Sequence, residues 1–367
     1  MQTSWETMDR LFRADSPERY GLRDNIWPDT MRKWTTQGYP TNEDGRPVDA
    51  SDHFGYDGVR CPGPFPWKAK LQEDEIVAQT GEWKIVRDGN GASFKWWKHK
   101  SGTPEHVDFL MSNRKMWEEE YKPHVVGSAR KRATPERLEL VRGLFQKARG
   151  RQKWLELGFQ GLWENMRGSL GDMILYQSML LDKEWILDHC RTYTDLFLEE
   201  LRIVLDEVGK PDCVWFHDDM GYKNATFCSP ELYGELIFPF YDELTRFCRS
   251  QGMTTSMHTC GYTEPLLELI VEAGFDGVNP MEVKAGNDMF RIADRYAGKL
   301  VFLGGLDARI LEAHDRDHIR KEVTKLMVGM KERNARYVFG SDHSLSTIID
   351  YQDFCCAIEV YREHMML

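Results

Sequence analysis

Two rhythms of hydrophobic and polar positions divide the chain. After residue 133, short apolar runs alternate with long amphipathic stretches. The runs "WLELGF" (154–159), "CVWFH" (213–217), "TTSMH" (254–258), "DGVN" (276–279), "LVFLG" (300–304) and "RYVFG" (336–340) predict strands. Between and after them, apolar residues recur at helical spacing over about 182–208, 229–251, 263–273, 287–297 and 316–333. A capping residue followed by proline marks two helix starts, Thr134-Pro135 and Ser229-Pro230. Strands that alternate with helices imply a parallel sheet. The number of units fits an α/β fold of the (β/α)8 TIM barrel kind. No G-x-G-x-x-G follows any predicted strand, which argues against a dinucleotide-binding open sheet.

The first 125 residues read differently. "SDHFGYDGVRCPGPFPWKAK" (51–70) is broken by proline and glycine and reads as an ordered irregular loop. Further on, β-rich runs flank "DGNG" (88–91), the signature of a hairpin turn. The expected organisation is an N-terminal cap or extension over 1–125, containing a small β-hairpin and packed on a barrel over 126–367.

Composition narrows the partners. Hydrophobic residues make up 41% of the 367, enough for a large core, and the net charge is −11 with no block of five like charges. The basic stretches "KWWKHK" (95–100) and "SARKRATPER" (128–137) are short, so nucleic acid and anionic membrane are not expected partners. No run approaches the ~18 apolar residues of a membrane helix. The first residues lack the basic start and apolar run of a secretory signal, and the eight cysteines include no C-x-x-C. A cytoplasmic protein with reduced thiols is expected.

Barrel enzymes carry their chemistry at the C-terminal ends of the strands. Here those ends read His217-Asp218-Asp219, His258-Thr259-Cys260, Asn279 to Glu282, Asp307 and Ser341-Asp342-His343. Side chains alternate along a strand, so His258 and Cys260 face the same way. An imidazole and a thiolate suit zinc better than magnesium or calcium. His343 is the expected third ligand, with Glu282 and Asp218 completing or flanking the shell. The other reading of His258 and Cys260 is a buried pair at a strand end. Asp218, Asp219, Tyr222, Lys223 and Glu282 are candidates for orienting substrate or moving a proton. Trp27, Asn279, Asp307 and Asp342 are candidates for lining the pocket, and Asp342 for supporting a ligating histidine.

The stretch "MHTCGYTEPLLELIVEAGFDGVNPMEVKAGNDMFRIADRYAGKLVFLGGLDARIL" resembles the C-terminal half of the uroporphyrinogen decarboxylase superfamily. "FHDDMGYKNATFCSPELYGELIFPFYDEL", "YVFGSDHSL" and the N-terminal "WPDTMRKWTTQGYP" are similar to further segments of it. The resemblance implies a distorted (β/α)8 barrel. The decarboxylase branch holds an acidic tetrapyrrole with arginines in an M-R-Q-A-G-R context, which this chain lacks. The branch of corrinoid-dependent methyltransferases binds zinc through H-x-C and a later cysteine. His258 and Cys260 match the first two ligands, while Gly340-Ser341-Asp342-His343 stands where the later cysteine would fall. The implied function is movement of a methyl group between a small methylated substrate, or a thiol or pterin acceptor, and a corrinoid (cobalamin) on a separate protein. O-demethylation is one form of it. The alternative is a metal-free decarboxylase-like lyase. The D-x-H-x-x-G of a cobalamin module is absent, so a separate corrinoid protein is the expected partner, and a homodimer is compatible with the sequence.

Overall fold

The computed structural model describes residues 2–367. Eight parallel strands form one sheet: β1 (Gly21–Leu22), β2 (Gly58–Cys61), β7 (Trp154–Gln160), β8 (Cys213–His217), β9 (Thr254–His258), β10 (Gly277–Asn279), β11 (Val301–Leu303) and β12 (Arg336–Phe339). Neighbours in the sheet follow chain order, and β1 pairs with β12. The seam between β1 and β2 is closed by Asp57. Its backbone N–H donates to Leu22 O at 2.9 Å, and its carboxylate accepts from Leu22 N and from both ends of the Arg19 guanidinium. This is a (β/α)8 barrel, with six of its strands where the apolar runs predict them.

The other two strands lie inside residues 1–125, so cap and barrel do not part at residue 125. β1 has two residues and β2 four, the latter inside the stretch read as an irregular loop. Strands that short leave no period to detect. The helix Leu162–Leu181 was also not predicted. Gly168 and Gly171 interrupt its pattern, and Gly171 sits at φ +71°, where a side chain would be strained and would strike the Phe109 ring at 2.5 Å.

Between β2 and β7 the chain inserts an antiparallel sheet of four strands, β3 (Glu75–Gln79), β4 (Trp83–Arg87), β5 (Ala92–Trp97) and β6 (Glu105–Phe109). The expected turn at 88–91 joins β4 to β5, where the Asp88 carboxylate accepts from Asn90 N and Ala92 N. The β5–β6 loop leans over the mouth of the barrel, and Ser101 N donates to Asp29 Oδ2 at 2.6 Å.

The opposite end is plugged. The helix Ser4–Phe12, started by a Thr3–Glu6 capping box, presses Met8, Leu11 and Phe12 against Trp154, Val301 and Val338. Phe12 stacks on Trp154 with centroids 5.3 Å apart. Apolar packing therefore closes the N-terminal end, and among the described residues the barrel interior opens at the polar ends of the strands. Among the described residues no helix is long and apolar enough to cross a membrane.

Candidate active site at the strand ends

Parallel pairing sets Gln160, His217, His258 and Asn279 side by side at the ends of β7 to β10. The imidazoles of His217 and His258 stack, with centroids 4.7 Å apart and planes 13° off parallel. Alternation then sorts the residues after β8. His217 and Asp219 face the mouth, and Asp218 faces away. Asp219 Oδ1 lies 3.4 Å from His258 Nε2, and its Oδ2 3.9 Å from His217 Nε2. The ligand atoms of His217, Asp219 and His258 all lie within 4.8 Å of one another. Cys260 Sγ stands 3.3 Å from His258 Nε2, and Cys260 N donates to Asp219 Oδ1 at 2.9 Å.

Burial sets the charges. It pushes the His258 pKa down to about 3, helped by His217, so the ring is neutral at pH 7. Burial, then Asp219 and Glu282, push the Cys260 thiol well above its usual range. Burial also opposes ionisation of Asp219, but His258, His217 and the Cys260 N–H outweigh it and hold the carboxyl below its ordinary value. At pH 7 the cluster therefore presents the Asp219 carboxylate, the neutral His258 ring and the protonated Cys260 thiol.

Asn279 fixes the proton on His258. Trp215 Nε1–H can only donate, and it donates to Asn279 Oδ1 at 3.1 Å. The amide NH2 then faces His258 Nδ1 at 2.9 Å, so Nδ1 accepts and the ring proton sits on Nε2, toward Asp219 and Cys260. Two imidazoles and a carboxylate at mutual ligand distance, with a thiol beside one of the imidazoles, fit zinc. Binding through His258 Nε2 would require the Asn279 amide to turn over and set its NH2 against Trp215 Nε1–H. One opposed donor costs ~1–3 kcal/mol, small against the ~10–16 kcal/mol of a structural zinc site.

The cluster opens into a cavity of about 510 Å³ lined by Arg23, Trp27, Arg60, Trp215 and His343 among others. The two arginines share one buried carboxylate, Glu156, at 2.8 and 3.2 Å, and Asp24 and Asp219 also line the cavity, so guanidinium and carboxylate groups alternate around it. The Arg60 guanidinium also lies 3.8 Å over the Trp215 ring.

The remaining predicted residues scatter. His343 lines the cavity but does not join the ligand-distance group; its Nδ1 lies 3.5 Å from Ser344 O. Asp218 is fully buried and accepts from Trp163 N, Glu164 N and Tyr241 Oη at 3.2, 2.7 and 2.5 Å. It anchors the helix start, and a Cβ on Gly161 would strike it at 2.3 Å. Asp342, also fully buried, accepts from Ala308, Val283 and Lys284 backbone N–H groups and ties together the loops after β10 and β11. Asp307 caps the short helix Ala308–Glu312 and pairs with Arg309. Glu282 Oε2 accepts from Gly261 N at 2.6 Å and so shapes the loop that carries Cys260. Tyr222 is 58% exposed, Lys223 is exposed, and neither lines the cavity. Trp27 and Asn279 do line it.

Sequence reasoning placed His217 at the mouth without naming it a ligand, although the alternation that pairs His258 with Cys260 pairs His217 with Asp219 in the same way. Arg60 and Glu156 carried no sequence signal. Their meaning comes from two strands that meet only in the sheet.

A model of the uroporphyrinogen decarboxylase (URO-D) family matches residues 166–364. The chain belongs to the uroporphyrinogen decarboxylase family. The match spans the strands that carry His217, His258 and Asn279. No curated protein sequence matches the chain. Among solved structures, a methyltransferase from Methanosarcina mazei shares 13% identity at a TM-score of 0.69, with 99% of each chain covered. That likeness is one of fold, and it extends over the N-terminal region that the family model leaves out. An endo-β-1,4-xylanase from Gloeophyllum trabeum is 11% identical at a TM-score of 0.38, over 61% of this chain and 79% of its own. A D-psicose 3-epimerase from Clostridium cellulolyticum is 10% identical at a TM-score of 0.37, over 68% and 96%.

Proposed function

We propose that this member of the family is a methyltransferase that moves a methyl group between a small substrate and a corrinoid held by a separate protein, with a zinc ion at the barrel mouth. The observation that carries the reading is the donor cluster: His217, Asp219 and His258 within mutual ligand distance, and Cys260 beside His258. A heteroatom-binding Lewis acid is what methyl transfer from or to oxygen or sulfur needs, and zinc supplies that polarisation when bound. The similarity of fold to a methyltransferase agrees with it.

The chain's own residues prepare this chemistry. Asp219 stays ionised and holds the Cys260 backbone, so carboxylate and sulfur are preset to converge. Cys260 keeps its proton while the site is empty, so metal uptake releases it and loosens as pH falls. Arg23 and Arg60 place two guanidinium groups in the cavity wall, shared with Glu156, as donors for a polar group on substrate or acceptor. The β5–β6 loop, moored to Asp29, partly covers the mouth, where the partner's cofactor would have to approach.

Two measurements test the reading. Protein purified without chelator should hold close to one zinc per chain, and the double variant His258→Ala/Cys260→Ala should hold none. Mixed with reduced corrinoid protein from the same cell and a methylated ether or thioether, the wild type should convert the cobalt absorption spectrum to that of the methylated form. A fully folded protein that binds no zinc, and that releases carbon dioxide from a carboxylated substrate, would replace this reading with the lyase.

A further inference from the structure

A second pocket, of about 350 Å³, shares Trp215 and His217 with the mouth cavity but none of its arginines. Its walls are Phe65, Trp67, Phe159, Phe197 and Trp215, with Glu200 in their midst. Phe65, Phe159, Phe197 and Trp215 are all buried. The wall segment is held from behind by Arg132, which is itself fully buried. Its guanidinium donates to the carbonyls of Pro66, Lys68 and Ala69 and pins the irregular strap that carries Phe65 and Trp67.

Glu200 is the unusual member. It is 2% exposed, and its Oε1 has no hydrogen-bond partner. A buried carboxyl oxygen without a partner costs free energy, and a protein retains such a group where something else completes it. No lysine or arginine lines the pocket, and the nearby Arg132 guanidinium is committed to backbone carbonyls, so an anion would find no free cation in the wall. A ring of aromatic faces around one carboxylate is instead complementary to an organic cation, which gains cation–π attraction from the rings and Coulomb attraction from the acid. The Arg60 guanidinium over Trp215 already uses that indole in this way from the other cavity.

We propose that this side pocket binds an organic ammonium group, with Glu200 as its counter-ion and the five aromatic rings as its cage. The inference rests on the methyl-transfer reading only in assigning the ammonium to the substrate, whose remainder reaches past His217 to the donor cluster. Burial raises Glu200 to about 8, against the pull of Arg132 and with a smaller push from Glu199. Its other titratable surroundings are His217 at the pocket rim and Tyr193 on its own helix, Lys183–Glu207. The acid is therefore mostly protonated at pH 7 when alone, and an arriving cation favours the ionised form, so binding releases a proton.

The test is calorimetric and needs no turnover. Tetramethylammonium chloride, tert-butanol and sodium acetate are titrated into the whole chain in two buffers of different ionisation enthalpy. Tetramethylammonium should bind saturably, with heats that differ between buffers by the released proton, and should quench tryptophan fluorescence. Glu200→Gln should weaken it by at least about tenfold, and Phe197→Leu by about threefold or more, with tert-butanol unaffected by either. Equal binding of tetramethylammonium and tert-butanol, or undiminished cation binding by a folded Glu200→Gln, overturns the proposal. So does the absence of any cation binding, or binding of acetate in its place. Zinc content and cobalt methylation are read separately, so loss of either leaves this outcome unaffected.

Discussion

The mouth holds a half-buried acid, Asp219, and the side pocket a buried one, Glu200, and the two behave in opposite ways. Asp219 has two imidazoles and a backbone N–H around it, and these hold its pKa below the ordinary value despite burial. Glu200 has aromatic rings around it and an oxygen with no partner, and burial carries it to about 8. Burial alone therefore does not decide the charge of a carboxyl; the partners do. In the readings proposed above, one site holds a cation among ligands it already owns and the other waits for charge from outside.

The comparison breaks most sharply at the donors. His217→Ala, His258→Ala and Cys260→Ala should each lower zinc affinity by about 100-fold or more, whereas His343→Ala should leave zinc content unchanged. Metal analysis after dialysis reads this directly, and zinc lost with His343 would return the third ligand to that residue. A second large effect concerns the fold beneath the mouth. Asp218→Ala strands two backbone N–H groups and the Tyr241 hydroxyl and should cost about 3 kcal/mol in denaturant unfolding, with the zinc ligands untouched.

Glu200 gives the pH test. In the unfolded chain it ionises near its ordinary 4.5, in the folded chain at about 8. Between those values the folded state holds the extra proton, so its contribution to stability is full below pH 4.5 and falls as pH rises to about 8. Glu200→Gln should therefore be more stable than wild type by about 3 kcal/mol at pH 7, a difference that vanishes near pH 4. Equal curves at both pH values would mean that the carboxyl has a partner after all. The smallest effect sharpens the metal site. Asn279→Asp accepts from Trp215 and from a His258 Nδ1–H together, so it should tighten zinc by about tenfold in a chelator competition.

The candidate site was legible in proportion to how far regular strand geometry reached. Period-two alternation set His258 beside Cys260, and the same rule applied one strand earlier sets His217 beside Asp219. It failed for loop residues. Asp218, Asp307 and Asp342 end predicted strands or follow them, yet each satisfies backbone N–H groups of a neighbouring turn. A carboxylate that caps a loop and one that faces a cavity look the same in sequence, because the difference lies in where the next segment runs.

By itself, the sequence determined the alternation of six strands with helices, the parallel barrel that follows, and the polar residues that close each strand. Those are local properties, set by side-chain period and by capping chemistry within a few residues. Only the tertiary structure decided that β1 and β2 complete the barrel and that Glu156 joins Arg23 to Arg60. It alone decided that His217 rather than His343 stands with His258, and that Glu200 ends among aromatic rings. Each of these depends on register between strands or on contacts across more than 30 residues of chain, and no local pattern encodes which distant partner arrives.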